Sequence, residues 1–170
     1  MQTLKKNIPL LAVSLFVSLF IYVFYRTEKT LINQLFIWLF HQETYTFFKT
    51  RITHSLRLPD FVIYSLPEGL WVFCITITSK SFYVVVQKRK WDLIFVPILI
   101  ALLMEIFQLL HLTNGRFDWM DIILSTGFWL LALLCTRTNI SKEPLFRSVN
   151  TPTISCIVSY AIVYLAHVNY

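Results

Sequence analysis

The sequence predicts an all-α, polytopic membrane helix bundle, with about five transmembrane helices and an interfacial segment after the first. Three observations predict it. The 170 residues are 56% hydrophobic and only 14% charged, against roughly 25% charged in soluble domains. Apolar runs near the length that crosses a bilayer recur along the chain. Glycine occurs only three times, at Gly69, Gly115 and Gly127, each close to a polar position within or beside such a run. Permissive backbone therefore gathers where polar groups interrupt apolar ones. The whole chain reads as one integral membrane domain.

The first span is expected over 8–25, preceded by Lys5 and Lys6. Its apolar run is too long for the core of a signal peptide, and Phe24, Tyr25 and Arg26 follow it instead of a small-residue cleavage site. It reads as a retained helix. Residues 27–57 form a mixed connector, where Leu31, Ile32, Leu35, Phe36, Trp38, Leu39 and Phe40 make a run too short to span. An interfacial helix suits it, with Tyr45, Phe47, Phe48, Lys49 and Arg51 at headgroup level.

The second span falls within 58–79, with an apolar tail that can extend it to Val86, and is interrupted by Pro59, Pro67, Glu68 and Gly69. Ser65-Leu66-Pro67-Glu68 reads as a capping box with proline in the first turn, so a short lead-in piece should precede a helix from about Leu66. Lys80, Lys88, Arg89 and Lys90 close this span. The third covers 91–112, with Pro97 as an expected kink. Thr113-Asn114-Gly115-Arg116 is a turn signal. The fourth span covers 119–135 and the fifth 152–168, separated by a polar connector.

With the amino terminus inside, nine Lys and Arg fall on the inner side and six on the outer. The positive-inside rule favours that orientation and puts the Gly115-Arg116 turn outside. The net charge of +6 then reflects topology and anionic headgroups. No basic stripe interleaved with exposed aromatics suggests nucleic acid. Cys74, Cys135 and Cys156 read as apolar fillers, without a CxxC pair or Cys/His spacing for zinc. No metal-ligand motif such as HExxH, no phosphate-binding glycine loop and no nucleophile motif occurs, so neither a cofactor nor a metal is expected.

The polar residues worth most attention lie in Glu105–Asp121. Glu105 and Gln108 share a helix face, and His111 continues it. Asp118 and Asp121 open the next helix, with Ser125 one turn on. A short turn makes these helices antiparallel neighbours, so the two polar stripes face each other, with Arg116 at the corner able to fork onto a carboxylate. Glu105 lies about two turns inside an apolar run, where an ionised group needs a partner or a proton. Glu68 is a second intramembrane acid, and Glu68, Gly69 and Trp71 can face the same cavity. The same groups also allow a plainer reading as a hairpin staple, with Asp118 capping, Arg116 paired to an aspartate and Gln108 satisfying backbone.

At these residues the chain resembles the VanZ-like family of small bacterial membrane proteins. The resemblance rests on Glu105-x-x-Gln108, Gly115-Arg116-Phe117-Asp118 and Asp121-Ile122, with Ser65–Trp71 similar to an earlier helix of the family. Ser125 stands where the family often has Asn, and Gly127 comes one residue early. The resemblance implies a multi-pass protein of the bacterial inner membrane and a link to glycopeptide (teicoplanin) resistance. It does not imply a biochemical activity.

The expected function is binding of a membrane lipid or lipid-linked envelope precursor at a polar cavity near the outer leaflet. The cavity would be lined by Glu68, Trp71, Glu105, Gln108, His111, Arg116, Asp118, Asp121 and Ser125, with Arg116 on an anionic headgroup and Asp121 orienting it. Two alternatives stand beside it: an intramembrane carboxylate-dependent hydrolase of a lipid phosphate or lipid-linked substrate, and a structural subunit with no ligand.

Overall fold

The computed structural model describes residues 2–27, 31–113, 115–135, 142–146 and 150–167. The side chains of 2–6, 31 and 163–167 fall outside that description, as do the sequence expectations on Lys29, Asn114, Arg137 and Arg147. The elements in order are α1 (Gln2–Tyr25), α2 (Leu31–Phe40), α3 (Gln42–Ser55), α4 (Asp60–Tyr64), α5 (Leu66–Ser79), β1 (Phe82–Val86), β2 (Arg89–Asp92), a 3-10 turn (Leu93–Phe95), α6 (Val96–Leu109), α7 (Trp119–Cys135), β3 (Glu143–Pro144) and α8 (Thr151–His167).

The chain is mostly helical, and α5 is its axis. It packs against α1, α4, α6, α7 and α8. Every residue from Gly69 to Ser79 is buried, as expected of a helix apolar on all faces. The hydroxyls of Thr76 and Thr78 fold back onto the carbonyls of Val72 and Cys74, so polar atoms do not disturb the packing. Gly69 permits the closest approach: a Cβ there would sit 2.6 Å from Phe128 of α7 and 3.3 Å from the Leu124 carbonyl oxygen. Phe73, Cys74 and Ile77 continue the contact to Ala132, with Leu11, Leu15 and Phe128 packed around them.

The break between α4 and α5 falls where the prolines and Ser65 placed it, but Ser65 does not cap. Its backbone is helical (φ −97°, ψ −33°) and its side chain makes no capping bond. Pro97 lies in the first turn of α6, where a proline lacks nothing the helix needs, so it starts the helix instead of kinking it. The connector carries two helices, α2 and α3, broken at His41 with φ +63°.

The larger departure from the all-α expectation is a small sheet in strand order β2-β1-β3. β1 and β2 form an antiparallel hairpin with Val86 opposite Arg89, and β3 pairs parallel to β1. Gln87 and Lys88 close the hairpin with φ of +49° and +66°, the geometry of a two-residue type I′ turn. The third apolar segment therefore does not begin as a helix at Trp91, which lies in β2. Phe82, Leu93, Leu145 and Cys156 seat the sheet against α8.

Two helical stretches, Asn7–Tyr25 and Asp60–Ser79, are long and apolar enough to cross a membrane. Leu93–Leu109, Trp119–Cys135 and Thr151–Ile162 are apolar but shorter.

Candidate functional site

Four chain ends meet at the pole of the bundle away from the sheet: the close of α1, the start of α5, the close of α6 and the start of α7. Glu68 lies in the first turn of α5, Asp121 in the first turn of α7, and Glu105 one turn before the end of α6. Their carboxylate oxygens come within 4.8 Å of one another. Glu105 is only 2% exposed, and Glu68 and Asp121 are half-buried.

Part of this arrangement is a staple. Glu105 Oε2 accepts a hydrogen bond from the Asp118 backbone N–H at 3.0 Å. With its amide nitrogen toward the loop, Gln108 donates to Glu105 Oε1 at 3.3 Å and to the Arg116 carbonyl oxygen at 3.0 Å. Gly115, at φ +132°, lets the loop close: a Cβ there would stand 2.8 Å from the Gln108 amide. Asp118 Oδ1 accepts from the Met120 N–H at 2.9 Å, so Asp118 is the cap of α7.

The rest is not explained by stapling. Asp121 Oδ1 and the hydroxyls of Ser65 and Ser125 are buried without a hydrogen-bond partner among the described residues. Ser65 is fully buried, and its hydroxyl faces the Asp121 carboxylate without closing a hydrogen bond to it. Buried polar atoms left this way cost about 1–3 kcal/mol each, so a fold keeps them where something else uses them.

The cation of the niche is Arg26, not Arg116. Arg116 is exposed and forms no ion pair with a described residue, so Asp121 does not orient it. Arg26 follows α1, and its charge acts on both Glu68 and Asp121. Its Nη2 donates to the Tyr64 carbonyl oxygen at 2.9 Å. Its guanidinium lies 5.0 Å from the Tyr22 ring centre and 5.2 Å from that of Tyr64, an aromatic clamp, while its Nε is buried without a described acceptor.

Of the sequence candidates, Glu68, Glu105 and Asp121 come together, with Gln108 and Asp118 beside them. Ser125 is buried one turn beyond Asp121. Trp71 stacks on Tyr22 at 5.0 Å as part of the core beneath. His111 is exposed in the turn after α6, at φ +55°. Arg26, Tyr22 and Tyr64 are not among those candidates, and the sequence reads Ser65 only as a cap. The one local signal was an arginine ending an apolar helix four residues after Tyr22, on the same face.

No protein-family model, curated protein or solved structure matches the chain.

Proposed function

We propose that this chain is a VanZ-like integral membrane protein of the bacterial envelope that holds a lipid or lipid-linked precursor at this niche, near the outer leaflet. The observation that carries the reading is the meeting of Glu68, Glu105 and Asp121 with Arg26 at one end of an otherwise apolar bundle. Ionisable groups at such depth face a bundle interior or a wet cavity and mark binding sites. Large apolar side chains on the outer faces of α1, α6, α7 and α8, such as Phe16, Leu103, Ile123 and Ile157, are exposed. They suit lipid tails, and an acyl or polyprenyl chain can lie along them while the headgroup sits at the niche.

In this reading Arg26 offers its buried Nε to a phosphate or another anionic acceptor. Arg116, exposed on the loop above, adds a second cation at the rim. Glu105, Gln108 and Asp118 hold the loop in shape. The test is mass spectrometry of lipids that co-purify with the protein from bacterial membranes. Wild type should retain a defined species, and R26A and R116A should each deplete it. Equal retention by both variants would overturn the headgroup role. A link to teicoplanin resistance predicts loss of that phenotype in the same variants.

The three close carboxylates also favour a second reading, hydrolysis of the bound lipid phosphate with one carboxyl as acid and another as base. It requires turnover of a lipid-linked phosphate by wild type and none by E68Q.

A further inference from the structure

We propose that Glu68, Glu105 and Asp121, with the Ser65 hydroxyl, form a binding site for a hard divalent cation of calcium size. The donor set is entirely oxygen, which suits calcium, magnesium or manganese over softer metals. The carboxylate atoms available as ligands lie within 4.8 Å of one another. An ion bonded to oxygens at roughly 2.3–2.6 Å, as calcium is, tolerates ligand separations up to about 5 Å across its sphere. Magnesium, at about 2.1 Å, requires every pair to close to about 4.2 Å or less.

Three carboxylates from three different helices converge here, and the neighbouring Arg26 is already engaged with Tyr22, Tyr64 and a carbonyl. Like charges this close in a half-buried niche repel unless protons or a cation intervene. When all three are ionised they outweigh that guanidinium by two charges, which a divalent ion matches. The second, independent observation is Ser65: its hydroxyl is fully buried, makes no hydrogen bond and faces the cluster at Asp121. Asp121 Oδ1 is likewise buried and unsatisfied. A bound ion between them satisfies both. Glu105 keeps lone pairs free, since each of its oxygens accepts one bond of the two it can take. The site also has a structural consequence: an ion there ties the start of α5 to the α6–α7 hairpin.

This inference shares the niche with the lipid-binding reading, and its test is run without lipid so that the two fail separately. Full-length protein in lipid-free detergent micelles is stripped with EDTA and titrated with Tb3+, whose luminescence Trp71, three residues beyond Glu68, is placed to sensitise. One saturable site is expected, displaced by Ca2+ at lower concentration than by Mg2+. E68Q and D121N should each weaken it by about tenfold or more, and D92N, in the sheet at the opposite pole, should leave it unchanged. Absence of saturable binding in wild type, or wild-type affinity in both E68Q and D121N, overturns the proposal. If either of those variants loses its monodisperse size-exclusion peak, S65A carries the test: weakened binding supports the site, and unchanged affinity overturns it as assigned.

Discussion

At the scale of single residues, the site depends on where the chain can do without a side chain. Gly115 is the sharpest case, because both its backbone and its surroundings exclude a Cβ: φ is +132° and the Gln108 amide lies 2.8 Å from the Cβ position. G115A should lower unfolding stability in mild detergent by about 1–3 kcal/mol. Because Gln108 would have to move, it should also loosen the Asp118–Glu105 bond, seen as faster hydrogen exchange at the Asp118 amide. Gly127 is the contrast within the same segment. Nothing lies within 4 Å of its Cβ position, so G127A should be neutral or stabilise α7 by up to about 1 kcal/mol through helix propensity. Equal destabilisation by both substitutions would show that the loop contact is not what holds Gly115. The juxtaposition of Glu105 with Asp118 and Asp121 was legible from spacing alone, since a short turn between two helices leaves one way to fold back. Arg26 was not. It reaches the niche only because α1 packs on α5, a contact between distant segments that leaves no local mark on the sequence.

At the scale of elements, the helices were legible where apolar length and punctuation agreed. α7 runs Trp119–Cys135 as its apolar run does, and Pro59, Ser65 and Pro67 mark the α4–α5 break. The hairpin was hidden because Phe82–Val86 is apolar enough to read as a tail of the preceding span. Its β-branched valines and half-exposed pattern fit a strand better, but Gln87-Lys88 lacks the Asn or Gly that usually announces a type I′ turn. That mismatch gives a prediction. Left-handed backbone costs L-residues about 1–2 kcal/mol each, and both central residues adopt it. Replacing the pair, Q87N with K88G, should stabilise the hairpin by about 1 kcal/mol. The check is slower hydrogen exchange at the amides of β1 relative to those of α7. Unchanged exchange would mean that the sheet is held by Phe82, Leu93 and Leu145 and not limited by its turn.

At the scale of the whole molecule, large apolar side chains lie outside as well as inside. The central helix is apolar and enclosed, yet the helices around it also turn large apolar side chains outward: Phe16 is 68% exposed, Ile123 61% and Leu134 66%. In water such a surface drives association. In the proposed bilayer reading it is the ordinary exterior, and the shorter helices would be accommodated by local thinning or by their packing against α5. The two poles then differ in kind. At one, α5 begins beside Arg26 and the carboxylates. At the other, about 21 Å along its 14 residues, it ends beside the sheet with Lys80, Lys88, Arg89, Lys90 and Lys142. In the proposed membrane reading, basic loops on the cytoplasmic side would put the sheet inside and the niche outside. Cysteine labelling tests this directly once Cys74, Cys135 and Cys156 are replaced. R116C should react with a membrane-impermeant maleimide in intact spheroplasts, whereas K88C should react only after permeabilisation. The reverse pattern would invert the topology and move the niche to the cytoplasmic leaflet, where no lipid-linked precursor presented on the outer face could reach it. Labelling of both positions without permeabilisation would remove the membrane from between the two poles altogether, and with it the reason for so much exposed apolar surface.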